Sequence, residues 1–465
     1  MIKPVIEEVP GVIHPHAVFH NLKKYPYSFF LDSSLPSERL GRFSLVGCDP
    51  FLIFKSKLGV VTLESRNGSV RSFKANPFLI LKELMDKYRT QYFDDRVPMT
   101  SGAVGYLSYD MKDYLEKLPD RASDDMELPD CTLGFYDSVI VFDHVKRKTF
   151  IAADGSTDSL KLLKDALLSK AAMPAIQGMP QYPPHIISNF SIDSYVKTIN
   201  KAKRYIKKGD IYQVNLSQRF EAGLNVEPYE LYLKLRDLSP APFSSFLNFG
   251  DVSVASSSME RFLLKKGRYI ETRPIKGTRP RGKDEPDDIR LASELKNSPK
   301  DNAEHIMIVD LERNDLGRIC RSGSVAWAER AVVEKYANVS HLVSTVNGTL
   351  AEGVGPVDCL MAAFPGGSIT GAPKIRSMEI IEELEPVKRS IYTGAIGYIS
   401  FDGNMDTSIV IRTFVAKGKK VYFSVGGGIV ADSDPEKEYA ETLDKASALM
   451  ASLGVRPAAK EAVLT

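Results

Sequence analysis

Few cysteines and no long hydrophobic run occur in this sequence of 465 residues. The four cysteines lie far apart and form no Cys-x-x-Cys pair, so neither a disulfide framework nor a zinc site is expected. No stretch approaches the ~18 consecutive apolar residues of a membrane-spanning helix, and the N-terminal segment lacks the basic and apolar regions of a signal peptide. We therefore expect a cytoplasmic protein with reduced thiols and no membrane partner.

An excess of charge of one sign is also absent. The chain has 61 Lys and Arg residues against 59 Asp and Glu residues, which gives a net charge of +2. Nucleic-acid-binding domains are usually strongly basic, so nucleic acid is not expected as a partner. Apolar residues make up 43% of the sequence, which is ordinary for a globular protein with a well-filled core.

The length of the chain bears on its domain organisation. A single hydrophobic core stops growing near ~250–300 residues, so we expect two domains or one unusually large one. Short apolar runs separated by turns indicate a strand-rich α+β region over residues 1–172. Residues 173–187 lie in a proline-rich stretch without periodicity and are predicted to be a linker. Residues 188–456 form the predicted C-terminal catalytic region.

Three predicted helices in the C-terminal region have recognisable ends. Asp193 is the predicted N-cap of a helix that stops at Gly209, because glycine is favoured just after the end of a helix. Ser298 and Asp434 are each followed directly by proline. That order is typical of an N-cap and the first helical residue, so a helix is predicted to begin at each of these places.

These last two helices carry acidic residues on one face. Asp301 and Glu304 are three residues apart on the first helix, and Glu438, Glu441 and Lys445 share a face of the second. Four carboxylates on two helices would suit Mg²⁺, which prefers oxygen ligands and keeps waters that a substrate anion can replace. The alternative is two solvated helix faces, because acidic residues are common at helix N-termini.

A cluster of basic residues surrounds a turn glycine in the segment Arg-Pro-Ile-Lys-Gly-Thr-Arg-Pro-Arg-Gly. Lys276 stands out because it follows an apolar residue and precedes Gly277. A lysine held away from water loses its proton more easily and becomes a nucleophile. An exposed basic loop is the alternative interpretation.

Two strand-like segments carry residues of unusual type. One runs into the three glycines Gly426, Gly427 and Gly428, where backbone N–H groups can approach an anion closely, although a tight turn would also explain them. In the other, Arg412 lies between apolar residues, on the same predicted strand face as Ser408. An arginine in that setting usually has a carboxylate partner, either a substrate or a protein side chain.

The segment Ile-Tyr-Gln-Val-Asn-Leu-Ser-Gln-Arg-Phe alternates between apolar and polar residues from Tyr212 to Ser217. Gln213, Asn215, Ser217 and Arg219 therefore share one face of a predicted strand. A wholly polar strand face is either the wall of a pocket or a surface exposed to solvent, and the alternation alone does not distinguish them.

Together these segments resemble the chorismate-utilising enzymes over nearly the whole chain. The resemblance is carried by motifs in family order, such as DIYQVNLSQRF, PIKGTRPRG, AEHIMIVDLERNDLGRI, FPGGSITGAPKIRSMEII and GAIGYISFDGNMDTSIVIRT. It implies an α+β fold of two large, mostly antiparallel β-sheets packed as a sandwich with helices outside, as in anthranilate synthase component I. It also implies chorismate as substrate and Mg²⁺ as cofactor.

The resemblance further implies roles for individual residues. Glu304 and Glu441 match the direct Mg²⁺ ligands, and Asp301 and Glu438 match partners that act through water. The metal would bind the ring carboxylate of chorismate beside Gly427. Other positions match the substrate pocket: Gly277, Thr278, His341, Ser368, Tyr392, Arg412, Gly426, Gly428 and Lys445.

Three positions bear on which reaction of the family is expected. Members that add water to chorismate have a lysine where this chain has Gln213, and an amide cannot take a proton from water. Members that form aminodeoxychorismate have Pro-Ile-Lys-Gly around the position of Lys276, whereas anthranilate synthases typically have alanine there. Glu260 matches the general acid that protonates the departing hydroxyl. We expect amination of chorismate at C4 through a lysine adduct at C2.

Two other readings are open. The first is an anthranilate synthase component, which would use the same metal site but form anthranilate and pyruvate. The second is a non-catalytic regulatory subunit that binds chorismate or tryptophan, although such a chain would be expected to have lost one of Lys276, Glu260, Glu304 or Glu441.

The remaining expectations concern partners. None of the cysteines lies in a Gly-x-Cys-x-Gly elbow, so ammonia is expected from a separate glutamine amidotransferase subunit or from free ammonium. Leu31, Asp32 and Ser33 lie in a segment that resembles the tryptophan pocket of anthranilate synthases. An effector site for tryptophan and plain core packing are both open for this segment.

Overall fold

The computed structural model describes residues 4–37, 39–155, 158–169, 184–336 and 339–455. The strands of the first half are β1 (Val5–Val9), β2 (Ser28–Asp32), β3 (Phe43–Gly47), β4 (Leu52–Lys57), β5 (Val60–Ser65), β6 (Val70–Lys74), β7 (Gly102–Leu107), β8 (Cys131–Tyr136), β9 (Ser138–Asp143), β10 (Lys148–Ala153), β11 (Ile186–Ser188) and β12 (Gln213–Gly223). Those of the second half are β13 (Phe243–Asn248), β14 (Val252–Ser258), β15 (Arg261–Lys266), β16 (Tyr269–Thr272), β17 (Ile275–Pro280), β18 (Ala326–Lys335), β19 (Val339–Thr349), β20 (Gly371–Ala372), β21 (Ala395–Ser400), β22 (Met405–Ile409), β23 (Thr413–Lys417) and β24 (Lys420–Ile429).

The helices lie mainly between these strands. They are α1 (Pro15–Leu22), α2 (Pro77–Lys87), α3 (Asp158–Leu168), α4 (Ile192–Lys208), α5 (Pro228–Leu238), α6 (Glu285–Asn297), α7 (Pro299–Gly317), α8 (Pro356–Ala363), α9 (Lys374–Leu384) and α10 (Pro435–Ser452). Among the described residues, none of these helices is both long and apolar enough to span a membrane.

The strands form two twelve-stranded sheets within the described part of the chain. The first has the order β1-β10-β9-β3-β2-β13-β14-β23-β24-β12-β11, with β20 paired to β12; the second has the order β17-β19-β16-β15-β22-β21-β7-β8-β4-β5-β6, with β18 paired to β19. Neighbouring strands are antiparallel throughout these orders, as in β12 with β24 and β7 with β21. The predicted α+β fold of two large antiparallel sheets is confirmed.

The two sheets pack face to face, and helices cover their outer faces. Phe29 and Leu45 of the first sheet share a buried cluster with Val104 and Tyr106 of the second. The outer face of the first sheet is covered by α1, α3, α5 and α10 through a second cluster. Burial of apolar surface on both faces of a sheet is the main favourable term in such a layered fold.

Strands from both predicted regions are neighbours in each sheet. β2 pairs with β13 in the first sheet, and β7 pairs with β21 in the second. Most of the predicted linker, residues 173–187, lies outside the described residues, which resume at residue 184. The assignment of a boundary there therefore stays a prediction.

Local sequence signals explain where the helices of the site begin. The Ser298 hydroxyl accepts a hydrogen bond from the N–H of Asp301, and the Asp434 carboxylate accepts from the N–H groups of Glu436 and Lys437. Proline fills the first helical position in both cases, as predicted. These caps fix the first turns of α7 and α10, which carry Asp301 and Glu438, and Glu304 and Glu441 lie in the turns that follow.

The N-cap predicted for α4 is wrong by two residues. Ser191, not Asp193, has the extended backbone of a cap and accepts the N–H of Ser194. Asp193 lies in the first helical turn, where its negative charge still interacts favourably with the helix dipole. Gly209 ends the helix in the left-handed conformation at φ 82°, as predicted.

Candidate active site

The backbone of the paired strands β12 and β24 forms the floor of the site. Residues 215–217 of β12 lie opposite Gly426–Gly428, so the glycine run continues the strand and does not form a turn. A Cβ at Gly427 would lie 3.3 Å from Glu438 Oε2 and 3.9 Å from Glu441 Oε1. The glycines therefore leave an open patch of backbone directly below the acidic face of α10.

Lys276 reaches the same floor from β17. A Cβ at Gly428 would lie 3.5 Å from Lys276 Nζ, which donates a hydrogen bond of 2.9 Å to the carbonyl oxygen of Ser368. Burial lowers the pKa of the lysine, although the nearby carboxylate of Glu304 opposes this. This direction favours the neutral, nucleophilic amine, but Lys276 is only half-buried, so its dry surroundings stay a prediction.

Glu260 lies between β14 and β15 and is buried, with 4% of its surface exposed. One oxygen accepts the N–H of Ile275 at 3.2 Å, and the hydroxyl of Ser368 donates to the same carboxylate. Burial raises the pKa of Glu260 to about 7, despite the opposing charges of Lys276 and Lys445. A carboxyl group with such a pKa is partly protonated at neutral pH and can serve as a general acid.

The two acidic helices bring their carboxylates to the open side of the glycine floor. Burial raises the pKa values of Glu304 and Glu438, while the ammonium of Lys445 lowers that of Glu441. The two carboxylates of α10 have close partners: Lys445 lies 2.7 Å from Glu441, and the hydroxyl of Ser433 donates to Glu438 at 2.7 Å. The carboxylates from the two helices thus face one another across the site.

Asp301 is held by a residue that the sequence did not single out for this role. Arg279 NH2 lies 2.8 Å from Asp301 Oδ2, and a Cβ at Gly277 would lie 3.2 Å from Asp301 Oδ1. Gly277 has φ 68°, a conformation that favours glycine, at a bulge in β17. Asp301 therefore pairs with the basic loop, consistent with an indirect role near a metal.

The residues present fit a hard divalent cation. Lys300 Nζ lies 3.9 Å from Glu304 Oε1 and 4.0 Å from Glu438 Oε1, so one positive group is within reach of carboxylates on both helices. In the described part of the chain, no three side chains converge on a closed ligand set. Mg²⁺ does not need one, because it commonly binds one or two carboxylates together with substrate and water.

His341 lies on β19, opposite Thr278 of the paired strand β17. Its Nδ1 lies 3.1 Å from the hydroxyl oxygen of Thr278 and 3.3 Å from the carbonyl oxygen of Gly277. Burial lowers the pKa of His341 to about 3, so the ring is neutral. Its Nε2 is buried and lacks a hydrogen-bond partner among the described residues. A neutral imidazole with one unsatisfied nitrogen is suited to a hydrogen bond with a bound ligand.

Gln213 presents a second unsatisfied polar group. Its side chain is fully buried, and neither its amide oxygen nor its amide nitrogen has a partner in the described structure. A Cβ at Gly428 would clash with the Gln213 amide. The polar face of β12 is therefore a pocket wall at Gln213, while further along the strand Ser217 bonds Glu385 and Arg219 pairs with Asp125.

Arg412 does not continue the strand as predicted. β22 ends at Ile409, and Arg412 has a left-handed backbone at φ 52°, so it is not on a common strand face with Ser408. Burial lowers the pKa of Arg412 to about 10, and Tyr392 opposes this shift. A half-buried arginine near Tyr392 can hold a substrate carboxylate, as the resemblance implies.

Arg389 is a residue of the site that the sequence analysis did not identify. It forms a buried ion pair with Glu385 and donates to the carbonyl oxygens of Ile369 and Asn215. Its guanidinium also lies 6.0 Å from the centre of the Tyr392 ring. These contacts join the wall of the pocket to the loop that carries Ser368. The signal in the sequence was the spacing of four residues between Glu385 and Arg389, which allows an ion pair.

A separate cavity of about 280 Å³ lies between the two sheets, beside Leu31, Asp32 and Ser33. The polar groups of the last two residues already have partners. Asp32 accepts from Tyr232 and Arg236, and the hydroxyl of Ser33 donates to a backbone carbonyl. None of the predicted catalytic or metal-binding residues lines this cavity.

Comparison with known proteins identifies the family of this chain. Residues 40–451 match the family described as chorismate binding enzyme. Anthranilate synthase component 1 of Acetivibrio thermocellus is 38% identical over 97% of this chain and 95% of that protein. Aminodeoxychorismate synthase component 1 of Bacillus subtilis is 40% identical over 90% and 91%.

The fold of this chain is also similar to that of a solved structure of the same family. Anthranilate synthase component I from Streptococcus pneumoniae superposes with a TM-score of 0.78 at 33% identity, covering 90% of this chain and 93% of that one. The relatives carry both component names at similar identity, so identity alone does not separate the two reactions. Because the family match covers residues 40–451 and the two antiparallel sheets agree with it, this chain belongs to the chorismate-binding enzymes.

Proposed function

We propose that this chain is the synthase component of an aminodeoxychorismate synthase, which converts chorismate and ammonia to 4-amino-4-deoxychorismate and water. The observation that carries the proposal is the shared contact of Lys276 and Glu260 with Ser368. It puts a nucleophilic amine and a carboxyl of raised pKa at one point of the pocket. Such a pair suits a substitution in which a hydroxyl group is protonated and leaves as water.

In the first step, the neutral amine of Lys276 forms a bond to C2 of the ring while the double bond shifts and the C4–O bond breaks. Glu260 gives its proton to the departing hydroxyl, which leaves as water. The lysine adduct is a secondary ammonium and returns one proton to Glu260. The carboxyl group is thereby restored for the next turnover.

In the second step, ammonia forms a bond to C4 and the double bond shifts back. The C2–N bond breaks, and Lys276 leaves as an amine after taking up the proton that the incoming ammonia loses. Glu304 and Glu441 would hold Mg²⁺ directly, and Asp301 and Glu438 would hold it through water. The bound metal would supply positive charge to the ring carboxylate of the substrate. His341, Thr278, Tyr392 and Arg412 would orient the rest of the substrate.

Ammonia would come from a separate glutamine amidotransferase subunit or from ammonium in solution. The names of the relatives support a partner, since both are called component 1. The folate pathway uses the product to make p-aminobenzoate, so a lyase would act next. Location in the cytoplasm stays a prediction.

Anthranilate synthase is the second candidate, and the identity of 38% to the Acetivibrio thermocellus component supports it. The products separate the two functions. The purified chain is incubated with chorismate, Mg²⁺ and ammonium, with and without aminodeoxychorismate lyase. Formation of p-aminobenzoate only with the lyase supports our proposal, and anthranilate formed without it supports the alternative.

The cavity beside Leu31 is proposed as an effector site, with tryptophan as the first compound to test. Its position between the sheets supports this, because Arg261 lines it and directly follows Glu260 in sequence. Isothermal titration of the full chain with tryptophan tests the idea. Absence of heat up to millimolar concentration would leave the segment with a packing role only.

A further inference from the structure

Three lysines lie among the four carboxylates of α7 and α10, and their surroundings differ. Lys276 and Lys445 are held in the pocket, by the carbonyl oxygen of Ser368 and by that of Gly426 at 3.0 Å. Lys300 is different, because about half of its side chain, 52%, is exposed to solvent. It is also the lysine that reaches both acidic helices.

The position of Lys300 follows from the cap of α7. Pro299 takes the first helical position after Ser298, so Lys300 is the second residue of the helix and is four residues before Glu304. Lysine at that spacing lies above the same helix face as Glu304. Its ammonium lies 3.9 Å from Glu304 Oε1 and 4.0 Å from Glu438 Oε1, which connects α7 to α10.

The charge of Lys300 acts on carboxylates of both helices, because its ammonium lies 3.9 Å from a Glu304 oxygen and 4.0 Å from a Glu438 oxygen. A divalent cation bound to the same carboxylates would face that positive charge at short range. Two like charges a few ångströms apart repel even at a solvent-exposed position.

We propose that Lys300 sets the divalent-metal affinity of this site, as a built-in counter-cation that competes with the metal for Glu304 and Glu438. The inference rests on the proposed function, because it takes those glutamates as the metal site. Lys300 is a positioning and affinity residue and does not react. Its exposed side chain can swing into solvent when a metal binds, whereas Lys276 and Lys445 are fixed by other contacts.

The test is direct metal binding, not turnover. The full chain is titrated with Mn²⁺ alone at low ionic strength, and free Mn²⁺ is counted by electron paramagnetic resonance. Lys300→Met should bind Mn²⁺ roughly five- to twentyfold more tightly than the unchanged chain, from the Coulomb energy of one charge removed near a divalent ion. That gain should shrink in high salt, which screens an exposed charge.

Two control variants separate charge from other effects. Lys300→Arg keeps the charge and should bind Mn²⁺ like the unchanged chain. Lys419→Met removes one exposed charge from the turn between β23 and β24, at the other end of β24 from Gly427, and should leave the affinity unchanged. Tighter binding in all three variants would overturn the proposal, and so would unchanged or weaker binding in Lys300→Met.

A wrong assignment of the metal site would give a different experimental result from a wrong role for Lys300. Glu304→Gln should abolish Mn²⁺ binding if the proposed metal site is right. If Glu304→Gln binds Mn²⁺ normally, the metal site proposed above is wrong. If Glu304→Gln loses binding while Lys300→Met shows no gain, the metal site stands and only the role of Lys300 is contradicted.

Discussion

The amine of Lys276 lies 2.9 Å from the carbonyl oxygen of Ser368, and the hydroxyl of Ser368 bonds the carboxyl of Glu260. One residue thereby positions both the proposed nucleophile and the proposed acid. Ser368 belongs to a single 3-10 turn, Gly367–Ile369, whose ends are tied by Glu312 and Arg389. The account therefore depends on a short loop held from two sides.

Lys276→Ala should abolish formation of aminodeoxychorismate or divert the enzyme to anthranilate. Loss of the amine removes the adduct at C2, so ammonia has no route to C4. Covalent catalysis of this kind is removed entirely with its nucleophile. Chromatographic separation of the products from chorismate, Mg²⁺ and ammonium measures the effect. Undiminished aminodeoxychorismate from the variant would exclude the covalent role.

Glu260→Gln should lower kcat by roughly 10²–10⁴-fold, the usual contribution of general acid catalysis. The amide is close in shape to the acid but cannot give its proton to the departing hydroxyl. Substrate affinity should change little, because the carboxyl group acts on the leaving group. Retained kcat together with a raised KM would contradict the assigned role and indicate a binding residue instead.

The same variant should change the pH dependence of stability. The pKa of Glu260 is raised from an ordinary 4.5 to about 7 in the folded protein. With a pKa that folding raises, Glu260 makes its full contribution to stability below pH 4.5. That contribution is lost as the pH rises from 4.5 through 7, because the folded protein must then bury a charged carboxylate. Glu260→Gln should thus gain about 2–3 kcal/mol relative to the unchanged chain between pH 5 and pH 8.

Urea unfolding at the two pH values measures that gain. The difference between the two chains matters, not the absolute stability, because other buried acids such as Asp110 titrate in the same range. An equal effect of the substitution at pH 5 and pH 8 would show that Glu260 has an ordinary pKa in the folded protein.

Glu304→Gln and Glu441→Gln should each remove most Mg²⁺-dependent turnover. Each substitution takes one negative charge from the proposed metal ligands, and an amide binds Mg²⁺ weakly. Glu294→Gln is the matched control, because Glu294 is an exposed glutamate of α6 paired with Arg290. Activity measured against Mg²⁺ concentration is the readout. Full activity of either variant at ordinary Mg²⁺ would contradict the ligand assignment.

Gly427→Ala should weaken chorismate binding while the chain still folds. The added Cβ would lie 3.3 Å from Glu438 Oε2, tight enough to displace that carboxylate from the floor of the site. Gly223→Ala is the control, since a Cβ at Gly223, at the far end of β12, meets nothing within 4 Å. An unchanged KM for chorismate in Gly427→Ala would mean that the substrate does not approach this floor.

Local sequence signals predicted the parts of the site that depend on neighbours in sequence. The caps at Ser298 and Asp434 and the shared face of Glu438 and Glu441 follow from helix periodicity and proline placement. The fold followed from the resemblance, and the roles that it implies for the pocket positions stay predictions. The backbone at Arg412 was not predictable, because a left-handed residue after a strand has no clear sequence signal outside glycine and asparagine.

Contacts between distant segments needed the structure. The register that places residues 215–217 opposite Gly426–Gly428 joins parts of the chain about two hundred residues apart. The contact of Lys300 with Glu438 and the hydrogen bond of Arg389 to the carbonyl oxygen of Asn215 depend on the same long-range packing. A pattern of spacing within one helix or strand carries no information on which other segment it faces.

The most direct measurement is the product of the purified chain with chorismate, Mg²⁺ and a high concentration of ammonium, in parallel samples with and without aminodeoxychorismate lyase. Our account predicts a product that the lyase converts to p-aminobenzoate, and no anthranilate. Anthranilate formed in the absence of the lyase would contradict it and would assign Lys276 a role other than attack at C2.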